Sequence, residues 1–138
     1  MEETPLQVLE RITPTLSAIS TERKLTDALG TFVEHDVENG TSFLWGLHKE
    51  TDIAIAKGYI SSGSKFPLHV HMYSHEYVFV LTGQMTFYFE DSSLENVLNK
   101  GDTIHILPNT PHSVIAQEDT WYIAITVPTD EAFPNVGT

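Results

Sequence analysis

Three histidines and a glutamate crowd into one short stretch, Leu68-His69-Val70-His71-Met72-Tyr73-Ser74-His75-Glu76, and two further histidines, His105 and His112, follow. In an extended strand, side chains two residues apart face the same side. His69 and His71 would then present two imidazoles to one face. Glu76 can join them if the chain turns over Met72 to His75 and a second strand starts near Glu76. Neutral imidazole nitrogen plus a carboxylate is the ligand chemistry of zinc, manganese, iron, nickel and copper. Two imidazoles and one carboxylate with open positions form a facial triad able to handle dioxygen or water. An exposed polar strand could carry the same residues, but Phe66, Leu68, Val78 and Val80 surround the cluster with apolar strand sequence. Buried imidazoles and carboxylates need partners, and a metal ion would supply one.

The elements that must position these groups are strands. From Thr31 onward the hydrophobic pattern has period two: Phe43, Trp45 and Leu47; Val78 and Val80; Met85, Phe87 and Phe89; Trp121, Ile123, Ile125 and Val127. Short runs are separated by turn-forming clusters, among them Ser61-Ser62-Gly63-Ser64, Thr82-Gly83 and Pro108-Asn109-Thr110-Pro111. This is the pattern of an all-β sandwich or barrel. Period two also places Glu76, Val78 and Val80 on one face, with His75 and Tyr77 on the other. Residues 5–30 differ. Leu6, Val8, Leu9 and Ile12 approximate a helical stripe that Pro14 interrupts, and residues 21–30 read as a short polar helix or loop closed by Gly30. The chain therefore divides into an N-terminal arm (1–41), partly helical, a barrel (42–127) and a turn-rich tail (128–138) expected to lie along the surface.

With the residues laid out, the chain resembles the cupin superfamily. Gly63, five residues, His69-Val70-His71, four residues, Glu76, six residues and Gly83 reproduce that family's first motif without a gap. Gly101-Asp102 and Pro111-His112 match the ends of its second motif at the family's interval. Leu107 stands at the family's proline position with Pro108 one later, Asn109 at its glycine position, and Ala116 where an asparagine is common. Asn tolerates the left-handed backbone nearly as glycine does, so the turn at Asn109 should survive. The resemblance, over about residues 42–127, implies a double-stranded β-helix, or jelly roll. It also implies a metal set of His69, His71, Glu76 and His112, and a cavity walled in part by Met85 and Phe87. His105 is expected to be hydrogen-bonded or exposed, and His75 to face away from the site. His35 and His48 are expected on the surface or in packing. Tyr73, Tyr88, Trp45 and Trp121 are candidates for cavity walls or ordinary core.

Composition narrows the partners. Seven Lys and Arg against nineteen Asp and Glu give a formal net charge of −12. No basic cluster is present to bind a phosphate backbone, so nucleic acid and anionic membrane are excluded as expected partners. The longest apolar run, Tyr77 to Leu81, falls far short of the ~20 residues a spanning helix needs. The chain has no cysteine, which removes disulfides, thiolate metal sites and thiol nucleophiles. The acidic start, Met1-Glu2-Glu3-Thr4-Pro5, lacks a secretory core segment, and a cytoplasmic location is expected. The resemblance leaves three functional readings: dioxygenase-like chemistry on a small organic molecule, a non-redox sugar or keto-acid isomerase or lyase, and a metal-containing binding module. The cofactor expected is a divalent transition metal (Fe, Mn, Ni or Zn), with Glu76 as a proton-moving group and a small molecule as substrate or ligand. Lys57 and Lys65 are the nearest cations in sequence, and the mostly apolar strands favour a neutral or aromatic substrate and oxygen chemistry. Residues 1–40 have no partner within a minimal barrel, so a homodimer is expected, with the arm and a strand near Phe32 to Val37 covering a sheet edge or the partner's sheet.

Overall fold

The computed structural model describes residues 32–136 together with Gln7, Glu10, Arg11 and Pro14. Those four residues of the arm are helical, including Pro14, which the sequence pattern placed as an interruption. Arg11 reaches the barrel through an ion pair with Asp52 at 3.0 Å. The stripe of Leu6, Val8, Leu9 and Ile12 and the segment 21–30 lie outside the described residues.

Ten strands follow: β1 (Val33–His35), β2 (Ser42–Lys49), β3 (Ala54–Ile60), β4 (Lys65–His69), β5 (His75–Thr82), β6 (Gln84–Phe89), β7 (Glu95–Asn99), β8 (Thr103–Ile106), β9 (His112–Ala116) and β10 (Thr120–Val127). They form a six-stranded sheet, β1-β2-β3-β10-β5-β8, and a four-stranded sheet, β4-β9-β6-β7. Every named pairing is antiparallel. The fold is all-β, as the alternating pattern led one to expect, and is the jelly roll that the resemblance implied. The strand anticipated near Phe32 to Val37 is β1, at the edge of the large sheet.

The core lies between the two inner faces. Phe66, Val78, Val80, Met85, Phe87 and Val114 meet there. The central strands contribute small side chains at the middle of this layer: Ala56 pairs with Ala124, and Ala124 with Val78. Large residues at those positions would fill the interior, whereas alanines leave room for a cavity. Ala116, which replaces the family's asparagine, is buried in the same core opposite Met85. The outer face of the large sheet carries a second buried cluster that includes Leu47, Ile55, Tyr77, Ile123 and Ile125. Near it, Trp45 stacks on Trp121 at 5.5 Å, and Lys57 Nζ sits 4.7 Å from the Trp121 ring.

The turns obey the backbone needs read from sequence. Asn109 takes φ 56°, so it does replace glycine in a left-handed turn. Gly83, between β5 and β6, takes φ 97°, and a Cβ there would stand 2.4 Å from the Asp119 carbonyl oxygen. Gly83→Ala therefore combines an unfavourable backbone with a contact that must displace main chain. It should destabilise the protein by about 2 kcal/mol or more and lower the midpoint of a thermal melt by at least about 5 °C.

Candidate metal centre

Both sheets and one loop supply the cluster. β4 ends at His69, β9 begins at His112, β5 carries Glu76, and His71 lies in the loop joining β4 to β5. Phe66 and His69 both line the interior although they are three residues apart, a spacing that points side chains to opposite faces of a regular strand. The register supplies the reason. Phe66 opposes Val114 and His69 opposes His112, so β4 holds one residue more than β9 over this interval. The bulge falls at Pro67 and Leu68; proline, lacking an N–H, suits such a position. It turns His69 inward. His71 arrives by a different route from the expected strand alternation: its loop is tied to the β8–β9 turn by the Asn109 N–H, which donates to the His71 carbonyl oxygen at 2.7 Å.

The three rings converge, with centroids 4.2 Å apart for His69 and His112, 5.3 Å for His69 and His71, and 5.6 Å for His71 and His112. One ring nitrogen of each lies within 4.8 Å of the others. Each Nδ1 faces an oxygen: the Pro67 carbonyl for His69 at 2.7 Å, the Asp130 carboxylate for His71 at 2.6 Å, and the Thr110 carbonyl for His112 at 2.8 Å. Carbonyls and carboxylates only accept, so each Nδ1 carries the proton and donates. The Nε2 lone pairs are left for the interior. Those of His71 and His112 are buried and have no hydrogen-bond partner. Glu76 completes the cluster from the opposite sheet, with Oε2 3.4 Å from His71 Nε2 and Oε1 3.6 Å from His112 Nε2.

A divalent ion fits these residues. Buried nitrogen lone pairs without partners are costly, and a metal takes up those lone pairs. Two ligands each about 2.1 Å from one ion stand about 3.0–3.4 Å apart for right-angled to tetrahedral arrangements. The Glu76 distances come within a few tenths of an ångström of that. The set of His69, His71 and His112 could therefore hold a divalent metal ion, with Glu76 placed against two of the three. Electrostatics differ among the rings. Burial lowers the His69 pKa, and the neighbouring His112 lowers it further. Burial also opposes charge on His71, but the Asp130 hydrogen bond and the charges of Glu76 and Asp130 outweigh it and raise its pKa. In turn, the His71 hydrogen bond holds the Asp130 carboxyl below its ordinary value.

The site opens into a cavity of about 100 Å³. Besides the cluster it is lined chiefly by apolar side chains, among them Phe66, Met85, Phe87, Val114 and Phe133. Met85 and Phe87 thus wall the cavity as the resemblance implied. No Lys or Arg is among the lining residues that the structure describes: Lys57 lies on the outer face against Trp121, and Lys65 begins β4, bridging to Glu38. Trp45 and Trp121 stack outside, and Tyr73 is exposed. Glu76 and Val78 point into the cavity, whereas Tyr77 belongs to the outer cluster. His75, also outside, shares a 2.9 Å hydrogen bond with His105, which stacks on Tyr77 with centroids 4.4 Å apart. His35 is exposed and packs against Phe66, 4.9 Å between ring centroids, as expected of a surface or packing residue, and from the β1 edge it also borders the cavity. Asp130 and Phe133 were not anticipated. Both belong to the tail, and nothing local in the sequence marks them as neighbours of a site 59 residues earlier. The tail does more than follow the surface, since Phe133 is buried in the core.

Two outcomes follow. Glu76→Ala and His112→Ala should each lose most bound metal on elemental analysis, while His75→Ala should keep nearly all of it, losing on the order of 10–100-fold in affinity at most. Metal binding should also weaken in acid. Because the His71 pKa is raised above 6.5, its Nε2 must shed a proton to ligate, so zinc affinity should fall as pH drops, with an onset above pH 6.5. Zinc titrations across that range check this; an affinity that stays flat to below pH 6.5 would contradict it.

No helix among the described residues is long and apolar enough to cross a membrane. Residues 59–127, half of the chain, match the family model described as a cupin domain. Over 68 residues the chain is 34% identical to an uncharacterised protein of Methanocaldococcus jannaschii, an alignment covering 49% of this chain and 53% of that one. The chain thus spans about half the length of the curated relative it matches. Similar solved structures include a cupin-like protein from Thermotoga maritima (TM-score 0.65, 18% identity, covering 75% of this chain and 81% of that one). Others are KdgF from Halomonas sp. (0.62, 21%, 72% and 90%) and a predicted oxalate decarboxylase from Thermotoga maritima (0.61, 17%, 72% and 93%). At these identities they bear on the fold, while the family match joins the sequence to the cluster of imidazoles: the chain belongs to the cupin family.

Proposed function

We propose that this cupin is a metal-dependent enzyme carrying out dioxygenase-like chemistry on a small, neutral, largely apolar molecule that offers oxygen ligands, such as an enol or catechol. The observation that carries this reading is the cavity wall: among the described residues it is apolar on most sides, includes no Lys or Arg, and opens directly on the three imidazoles and Glu76. A carboxylated sugar or a small dianion such as oxalate calls for a cationic side chain to replace its lost hydration. The family likeness to KdgF and to a predicted oxalate decarboxylase therefore does not by itself carry such substrates over.

When bound, a redox-active divalent ion supplies Lewis acidity and electron transfer to oxygen. The chain's own residues do the rest. His69, His71 and His112 keep their Nε2 lone pairs inward through their Nδ1–H bonds. Glu76, on the opposite sheet, can take the proton that an enol or catechol hydroxyl loses on ligation. Phe66, Phe87, Val114 and Phe133 orient an apolar body and exclude water. Small size is set by the cavity and by Phe133 at its wall.

The protein loaded anaerobically with Fe(II), Mn(II) or Ni(II) should consume oxygen when given an enol, catechol or flavonol-like compound, and the zinc form should not. An oxygen electrode with product mass spectrometry reads this. Equal turnover without oxygen, with only a carbonyl moved, would transfer the assignment to an isomerase or lyase. Tight ligand binding without turnover would make it a binding module.

A further inference from the structure

Asp130 lies outside the cavity lining and meets the site only through His71. One carboxylate oxygen accepts the His71 Nδ1–H at 2.6 Å, and the other accepts the Ala132 N–H at 2.9 Å. Its own N–H donates to Thr126 Oγ1 at 3.0 Å. Both oxygens and the backbone are therefore fixed. The segment around it is fastened independently. Ser74 Oγ–H donates to the Pro128 carbonyl at 2.8 Å, Lys49 Nζ donates to the Phe133 carbonyl at 2.8 Å, and Thr129 Oγ1–H donates to the Glu50 carbonyl. Val136 then bridges to Gly46.

His69 and His112 lie at strand ends and find backbone carbonyls two residues away. His71 sits in a loop, and its Nδ1–H partner comes from the far end of the chain. We propose that Asp130 is a positioning residue: it locks His71 in the tautomer whose Nε2 lone pair faces the metal, and the C-terminal tail serves to deliver it. The proposal rests on the metal reading above. An anionic acceptor behind an imidazole fixes its orientation and raises its basicity as a ligand.

Asparagine at this position separates positioning from mere packing. In Asp130→Asn the amide oxygen keeps the Ala132 N–H bond, so the NH₂ group faces His71 Nδ1. Nδ1 must then accept, the proton moves to Nε2, and the ligating lone pair is lost. In Asp130→Ala, His71 is free to choose its tautomer. Zinc affinity, read by competition with a chromophoric chelator, should fall on the order of 10–100-fold in the Asn variant, at least as far as in the Ala variant. A structural role predicts the reverse, since Asn is nearly isosteric. Asp130→Glu, which keeps an anionic acceptor, should bind zinc more tightly than either. Nitrogen-15 spectra of the metal-free proteins, taken above the pH at which His71 titrates, should show the Nδ1–H tautomer in the parent and Glu variant and the Nε2–H tautomer in the Asn variant. An Asn variant that binds zinc like the parent, or retains the parent tautomer, overturns the proposal. So does a Glu variant no better than Ala, which remains decisive if the Asn variant fails to fold. A parent chain that binds no zinc would sink the metal reading, while the tautomer spectra would still decide what Asp130 does.

Discussion

Three Nδ1–H···O hydrogen bonds govern this molecule's chemistry. An imidazole has one lone pair to give, and which nitrogen gives it depends on what the other nitrogen touches. Here all three outer nitrogens meet oxygen, at 2.6–2.8 Å, so all three inner nitrogens are free to bind a cation. Much of the surrounding architecture maintains that arrangement. The β4 bulge turns His69 inward, the Asn109 turn holds the His71 loop, and the tail supplies Asp130. Without an ion, the interior would hold buried lone pairs and a carboxylate in unrewarded proximity, which is costly in a low-dielectric medium.

The barrel makes room for chemistry by underfilling its centre. Ala56 and Ala124 pair side by side in the large sheet, and Ala124 lines the cavity with Phe66, Phe87 and Phe133 where a bulkier residue would fill it. Strand β5 divides two kinds of histidine environment. Glu76 faces the three imidazoles on its inner side. One residue away, His75 faces outward to a hydrogen bond with His105, and burial together with the His75 ring lowers the His105 pKa. Adjacent residues thus serve separate purposes because a strand alternates its faces.

How legible this was from sequence depended on whether the reason was local. The parity of Glu76, His75 and Tyr77 followed from the period of β5, and the left-handed turn at Asn109 followed from residue chemistry. The meeting of His69 with His71 was anticipated for an incomplete reason. Uninterrupted alternation along β4 would have set His69 opposite to Phe66; the bulge at Pro67-Leu68 reconciles them, and His71 lies beyond the strand. His35 is the exposed packing residue that the sequence suggested, but that it also borders the cavity follows only from the pairing of β1 with β2. Asp130 and Phe133 carried no local signal at all, since their importance arises from a tail folded back across the molecule. The resemblance to a family motif singled out residues that the fold brings together, but tertiary contact alone reveals what holds them.

Charge balance ties the site to the kind of molecule it can admit. The three imidazoles would ligate as neutral groups, while Glu76 and Asp130 each bring one negative charge when ionised. A divalent cation held there would neutralise that pair, leaving a centre with little net charge inside an apolar cavity of about 100 Å³. Such a centre would not attract a highly charged substrate strongly, and the described lining residues include no Lys or Arg to pair with one. On the proposed reading a neutral molecule that loses a proton as it ligates would be better matched: an ion held there would stabilise the new anion, Glu76 would take the proton, and the apolar remainder would pack against Phe87 and Val114. The protein's overall acidity opposes approach of anions from a distance as well. Local and long-range electrostatics therefore favour the same class of neutral ligand.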